Sequence, residues 1–541
     1  MKQPIDLRPD HAKIVHENIA RHLPAGVSVR VFGSRAKWTA KPHSDLDLAL
    51  KGKQPLPRSV LGDLAEAFSE SDLPFRVDVV DWHTVASSFQ AVIDRDAIKL
   101  PWPKEHFASL LAEPVRNGIY KPKEFHGRGC KIVNMGELFA HSRMFDVPMK
   151  RVELTPKEQE RFLLKSGDLL FARRSLTAEG AGKCSIILEV NEPTTFESSI
   201  IRARPDPAKA NPLYLYYFFS SQLGYQALDS IRRQVAVAGI TGTDLANLPI
   251  PTPPESIQTK IADTLSLFDR KIELNRQMNE TLEQQAQAIF RDWFVDFGPV
   301  RRKAAGETDA VAIMGGLIPA PARAAQLAAL FPNAFGNDGL PVGWQRLHLS
   351  DIASQGKGSI NPQGQPETVF EHYSLPAFDK GQEPSMDAGS TIKSNKTPVP
   401  LGSILLSKLN PETLRVWLPN DRAGAVQIAS TEFLVFIPKP DASRSLLFAL
   451  FRDPDFRTLM QGMVTGTSKS HQRISPPALL AQEVIAADAG LFPAFSALVE
   501  PMLERLLASR AENKYLAETR DYLLPRLMSG TVRVARESEA A

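Results

Sequence analysis

From about residue 120 onward the chain repeats itself weakly with an offset of about 231–235 residues, and this repetition constrains the fold more than any single motif. "LLKSGDLLFARRS" (163–175) is answered by "PVPLGSILLSKLN" (398–410), in each case a polar turn with glycine and then an apolar strand ending in a basic residue. "FESSIIRARPDP" is answered by "IASTEFLVFIPKPD". Apolar helical stretches follow in the same order, "YLYYFFSSQLGYQALDSI" and "SLLFALFRDPDFRTLMQGM", and then polar glycine loops, "AGITGTDLANLPIPTPP" and "TGTSKSHQRISPPALL".

Each copy runs into a long helix. Ile261, Leu265, Phe268, Ile272, Asn275, Asn279, Leu282, Ala286, Ile289 and Trp293 recur at alternating four and three steps, which is a heptad seam. Adding 234 gives Phe495, Val499, Met502, Leu506, Ser509, Asn513, Leu516, Arg520, Leu523 and Leu527, so Asn279 falls onto Asn513. Two facing buried asparagines would fix register, and helix direction decides whether these two face. Pro501 and Pro525 lie inside the second pattern and predict a shorter or bent helix there. Helices of some 35 residues rising about 1.5 Å per residue would hold two domains on the order of 50 Å apart, a spacing suited to separated sites on one duplex.

The order of mixed domain, long helix, mixed domain, long helix strongly resembles the specificity subunit of type I restriction-modification systems. The resemblance covers about residues 110–532 and rests on "LPIPTPPESIQTKIADTLSLFDRKIELNRQMNETLEQQAQAIFRDWFVDF" after the first domain and "GLPVGWQRLHLSDIA" opening the second. It implies two target-recognition domains that each read half of a bipartite sequence in double-stranded DNA. It also implies conserved helices that bind methyltransferase subunits, restriction subunits joined through the complex, and no cofactor or catalytic residue in this part. Candidate DNA contacts are Arg173, Arg174, Lys183, Arg232, Arg233, Thr241 and Thr243 in the first copy, and Lys408, Arg415, Thr467, Ser468, Lys469, His471 and Gln472 in the second. Arginine and lysine neutralise phosphates or read guanine, and glutamine, serine and threonine contact base edges.

The first hundred residues follow another pattern. Ile14, Val15, Ile19 and Leu23 have helical spacing, and "GVSVRVFGS" alternates Val27, Val29 and Val31 before breaking at Gly33-Ser34. "DLDLAL" then places Asp45 and Asp47 on one face of a strand and Leu46, Leu48 and Leu50 on the other. In "LPFRVDVVDW" Asp78 is the natural third carboxylate and Asp81 the fallback. Carboxylates brought together repel unless a divalent cation with oxygen ligands offsets them, which reads as magnesium. Nucleotidyl transfer needs such a metal clamp and backbone N–H groups for the triphosphate, with Gly33 permitting close approach and Ser34 adding a hydroxyl.

Gly-Ser, ten residues, Asp-x-Asp and a later strand Asp resemble the minimal nucleotidyltransferases of the polymerase-beta superfamily over roughly residues 8–100. The resemblance implies Asp45, Asp47 and Asp78 as catalytic, magnesium-binding residues. It implies Gly33, Ser34 and Arg35 as nucleotide-binding residues, with ATP or another nucleoside triphosphate as donor and a hydroxyl acceptor that is sometimes on a toxin protein. Lys37 and Trp38 stand where that family commonly has small residues or glycine.

At 541 residues the chain exceeds one core, with about 100–200 residues per domain as the guide. Its 64 basic and 61 acidic residues leave a net charge of +3, so any DNA-binding surface must be local. Cys130 and Cys184 fit neither a disulfide framework nor a zinc array. No apolar leader or run of about 18 apolar residues occurs, which predicts a cytoplasmic protein without a membrane partner.

The expected fold is α+β and multidomain: a small α/β nucleotidyltransferase domain, then two mixed α/β recognition domains separated and followed by long coiled-coil-like helices. The boundaries are 1–104 for the front domain, 105–254 and 341–487 for the recognition domains, 255–297 and 488–531 for the helices, 298–340 for a connector with short helical pieces, and 532–541 for a tail. The alternative is a nucleotidyltransferase passing AMP to a protein or RNA acceptor, with the repeat domains selecting its substrate. A front domain that binds nucleotide without turnover and regulates restriction is a third reading.

Overall fold

The computed structural model describes residues 5–24, 26–41, 43–177, 179–233, 238–421, 424, 426–465, 472–487, 490–530 and 532. The chain divides into two compact units, Met1–Lys271 with Tyr515–Ala541, and Ile272–Lys514. No helix among the described residues is long and apolar enough to cross a membrane.

The first unit opens with a four-stranded sheet in the order β3-β2-β1-β4, built from β1 (Ser28–Phe32), β2 (Leu46–Lys51), β3 (Val77–Asp81) and β4 (Ile98–Lys99). Strand alternation sends Val29, Val31, Leu46, Leu48 and Leu50 into a core closed by Val15, Ile19, Leu64 and Phe68 from the flanking helices. The helix Gly33–Ala36 starts directly from β1, and β2 and β3 run parallel.

Behind it, a five-stranded sheet lines up Leu111–Asn117, Ile200–Pro205, Leu169–Ala172, Cys184–Ile187 and Arg143–Met144. A three-stranded sheet of Thr194–Phe196, His126–Val133 and Lys150–Val152 accompanies it. The aromatic helix Pro212–Ser220 fills the core with Tyr214, Tyr217 and Phe218. Ile261 and Leu265 of the central helix Glu255–Phe290 join that core, together with Leu524 and Leu527 of the C-terminal helix Leu491–Met528. Both cysteines are buried free thiols.

The stretch around residue 104 is built in: Lys104–His106 pairs with Pro249–Pro251, Lys13 bridges Glu105 at 2.8 Å, and Lys99 Nζ donates to the Ser529 carbonyl at 3.1 Å. The front domain is thus docked within this unit on the first recognition domain and the end of the last helix.

The second unit repeats the plan. Ala353–Gln355, Phe433–Pro438, Ile404–Ser407 and Val416–Trp417 form one sheet, and Ser385–Ala388, Val369–Tyr373, Val426–Ala429 and Thr397–Pro398 another. The repeat extends to register: Leu169 faces Ala203 across the antiparallel pair in the first domain, and Ile404 faces Phe436 in the second. The connector 298–340 contains short helices, Gly298–Ala304, Ala310–Ile313 and Pro321–Ala328, and they are packed in. Val300, Ile313, Met314, Leu327 and Phe331 are buried in one core with Trp293 and Trp344.

In both units the long helices run antiparallel. Asp269 meets Arg520 in the first, while in the second Asn275 meets Asn513, Glu283 meets Arg510 at 3.2 Å, and Phe290 packs on Phe495. Antiparallel direction therefore gives Asn513 Asn275 as its partner, at 2.9 Å, rather than the Asn279 that the sequence offset superposes on it. The shortening expected from Pro501 and Pro525 does not occur, because the C-terminal helix spans 38 residues. Each proline deletes one backbone donor, and continuous burial of Val499, Leu503, Leu506, Leu524 and Leu527 holds the helix through both.

Candidate functional site

Two places concentrate the sequence-predicted residues. In the front domain, register brings three of them together: Phe32 of β1 faces Asp47 of β2, and Asp47 faces Asp78 on the parallel β3. Gly33 follows Phe32 with φ +73°, and a Cβ there would lie 2.1 Å from Asp47 Oδ2. The backbone thus passes against the carboxylate only because position 33 is glycine. Asp45 immediately precedes β2 and is exposed. Burial, and then the charges of Asp78 and Asp45, raise the Asp47 carboxyl above its ordinary range.

Three carboxylates in that relation suit a hard divalent cation with oxygen ligands. As they stand, no three acidic, histidine or cysteine side chains among the described residues are gathered tightly enough to hold one. Asp78 is paired with Arg76 at 2.8 Å, which relieves the mutual repulsion by another route. The fallback Asp81 is committed to the fold: it is 2% exposed and accepts from the backbone N–H groups of Leu56 and His83 at 2.7 and 2.9 Å.

Arg35 was expected at the nucleotide, but its guanidinium points inward. It donates to the Ser44 and Asp6 carbonyls at 2.8 and 3.0 Å and lies 3.9 Å over the Phe75 ring. Burial lowers its pKa, partly offset by Asp6 and Asp45. It braces the loop between Gly33 and Asp45 rather than reaching out of it.

The second place is a short two-stranded ribbon in each recognition domain. In the first, Arg174–Ser175 pairs with Ala238–Gly239, and Ile240 N donates to Arg173 O at 3.0 Å. In the second, Val464–Thr465 pairs with Arg473–Ile474, and Ile474 N donates to Lys408 O at the same 3.0 Å. The first ribbon pairs strands about 65 positions apart and the second pairs strands 8–10 apart, while the backbone bonds to Arg173 and Lys408 each span about 65 positions.

The ribbons sort the candidate contacts. Arg173 and Arg174 have neither a carboxylate nor a side-chain hydrogen-bond partner among the described residues, and Arg174 is exposed. Arg233 holds Asp244 at 2.8 Å with its side chain 67% exposed, and Thr243 is exposed on the helix that Thr241 caps. Thr241 itself is occupied, donating to Asp244 Oδ2 at 2.7 Å and accepting from Asp244 N.

Lys183 is turned to the Phe139 carbonyl at 2.7 Å, and burial lowers its pKa. Arg232 is enclosed by Asp229, the Ala181 carbonyl and the Tyr225 ring. Arg415 bridges Asp379 at 2.8 Å. These three support the fold around the ribbons. Lys408 and Gln472 are half-buried at the second ribbon, while Thr467, Ser468, Lys469 and His471 lie outside the described residues.

Residues 118–284 match the type I restriction modification DNA specificity domain, and residues 17–101 match the polymerase beta nucleotidyltransferase domain. The chain thus joins a type I restriction modification DNA specificity domain to a nucleotidyltransferase domain in front of it. It is 24% identical over 441 residues to the type I restriction enzyme HindI specificity subunit of Haemophilus influenzae, covering 74% of this chain and 94% of that one. Its front part is 44% identical over 89 residues to the probable protein adenylyltransferase MntA of the same organism, covering 16% of this chain and 77% of that one. The solved type I S subunit of M. genitalium aligns with 79% of this chain and 96% of its own at 15% identity, with a TM-score of 0.47.

A nucleotidyltransferase domain of this kind points to a nucleoside triphosphate and a divalent metal ion. Two residues of this chain join the sites without having been singled out in sequence. Arg76 holds Asp78, and Arg473 sits on the second ribbon against Glu432 at 2.9 Å. Arg76 lies two residues from the acid it holds, which is the one sequence signal it leaves; nothing local to Arg473 marks its partner, 41 positions away.

Proposed function

We propose that this specificity subunit reads a bipartite target in double-stranded DNA, one half through each ribbon, as part of a cytoplasmic complex with methyltransferase and restriction subunits. The observation that carries the reading is the twin construction: two domains with the same strand register and the same Ile-to-basic-residue backbone bond at 3.0 Å. Duplicated readers match duplicated half-sites. Arg173, Arg174, Arg233 and Thr243 are the outward contacts of the first domain, and Lys408 and Gln472, with Thr467, Ser468, Lys469 and His471, those of the second. Mapping methylation genome-wide in cells carrying the complete system tests this: a split recognition sequence is expected, and a continuous one or none contradicts it.

The front domain supports a second activity, favoured by Asp47 and Asp78 standing in register with Gly33 against the carboxylate. Asp45, Asp47 and Asp78 would hold magnesium, with Gly33 and Ser34 at the triphosphate of ATP or another nucleoside triphosphate. The metal supplies charge neutralisation at the phosphoryl oxygens. The chain's part is to hold Asp47 between its neighbours, to bring the Gly33 backbone close, and to keep the loop shaped through Arg35. AMP transfer to a hydroxyl on a protein or RNA is the expected reaction. Labelled ATP with magnesium, comparing the native chain with Asp45→Ala and Asp47→Ala, decides it: carboxylate-dependent labelling supports transfer, and its absence on every partner protein and RNA of the system argues against it.

A further inference from the structure

The turn after Arg173-Arg174 carries a side chain that neither activity has used. Leu176 is 93% exposed, more than any other large apolar residue described. A solitary exposed leucine is ordinary on a protein surface. Here three features set it apart.

The turn is braced. Thr177 N donates to Ser175 Oγ at 3.2 Å, Gly180 N to Thr177 Oγ1 at 3.3 Å, and Lys183 N to Gly180 O at 3.2 Å. A Cβ at position 180 would lie 2.2 Å from Ser175 Oγ, so glycine is what lets residue 180 approach Ser175. The root of the turn is anchored as well, because Arg174 and Ser175 pair with Gly239 and Ala238. Finally, its neighbours are cationic: Arg173 and Arg174 precede it, and Arg233 stands on the paired side, bridged to Gly239.

We propose that Leu176 is an apolar wedge that enters the base stack of the first half-site, while Arg173 and Arg174 hold the adjoining phosphates. This rests on the DNA-reading proposed above. An exposed aliphatic side chain flanked by cations is the combination that unstacks a base step and keeps the strained duplex bound. At the matching position of the second domain, 235 residues on, stands Pro411, which is buried. Distortion is therefore confined to one half-site, and the other serves as an internal reference.

The experiment uses the full chain assembled with its methyltransferase subunits and a duplex carrying the methylated bipartite sequence, with 2-aminopurine placed in turn at each step of both halves. The native complex should brighten one step in the first half and none in the second. Leu176→Ala should abolish the brightening, weaken binding about tenfold, and leave the salt dependence unchanged because no charge is lost. Leu176→Met should restore both. No brightening in the native complex, or equal brightening in Leu176→Ala, overturns the wedge while leaving the two-half reading intact. If uracil in place of a thymine costs as much as Leu176→Ala and no step brightens, the leucine contacts a thymine methyl instead. Failure of the native complex to bind any split site removes the DNA-reading itself and the wedge with it.

Discussion

Burial and the nearby Asp78 and Asp45 disfavour the charged form of Asp47, and the consequence is predictable in sign. Its raised carboxyl binds more protons folded than unfolded just above the ordinary carboxylate range. Folding stability therefore falls as pH rises through that window, and the cost is complete at neutral pH. Asp47→Asn should slow hydrogen exchange of β1–β3 in the full chain at neutral pH without divalent ions, and lose that advantage in acid; unchanged exchange at neutral pH contradicts the argument. Gly33→Ala meets both a φ of +73° and the Asp47 carboxylate, so a loss of roughly 1–3 kcal/mol is expected in the same measurement. The spacing of Gly33, Asp45, Asp47 and Asp78 was legible because alternation and register are carried by local pattern. The inward turn of Arg35 was not, because its partners are the Asp6 and Ser44 carbonyls, and backbone acceptors leave no trace in side-chain identity.

The long helices show the same division between pattern and partner. Heptad spacing located both seams, but the direction of pairing depends on contacts some 240 residues apart, so the Asn275–Asn513 match had to come from three dimensions. Asn275 Nδ2 also donates to Glu512 at 2.9 Å. Asn275→Leu should cost roughly 1–3 kcal/mol in urea unfolding by taking the donor from the part-buried acceptors of Asn513 and Glu512, and Asn275→Leu with Asn513→Leu should recover part of it. Equal losses in the single and double variants would show that the pair does not act as a unit. At the ribbons, Arg174→Ala and Lys408→Ala should each weaken DNA binding by the assembled complex and lower the slope of affinity against salt by about one; an unchanged slope removes that residue from the phosphate contacts. The ribbons themselves were half legible. Their basic residues stood out in each copy, while Gly239 and Ile240 meet Arg174 and Arg173, and Arg473 and Ile474 meet Leu409 and Lys408, from about 65 residues downstream, beyond any local pattern.

At the scale of the whole molecule, repetition did more than composition. A net charge of +3 marks no DNA interface, whereas the offset of about 231–235 residues exposes a duplicated domain and its helices in the sequence itself. The front domain is not a free appendage, since Lys13 and Lys99 seat it against Glu105 and the Ser529 carbonyl at the end of the last helix. The central claim is that each domain reads its own half of one split target. The most direct test maps genome-wide methylation by the complete system with the native chain and with a chain whose residues 341–487 are replaced by the same domain of another specificity subunit. The account predicts that the first half of the target and the presence of a gap are kept while the second half alone changes. A target that is continuous, or that changes in both halves, would contradict it.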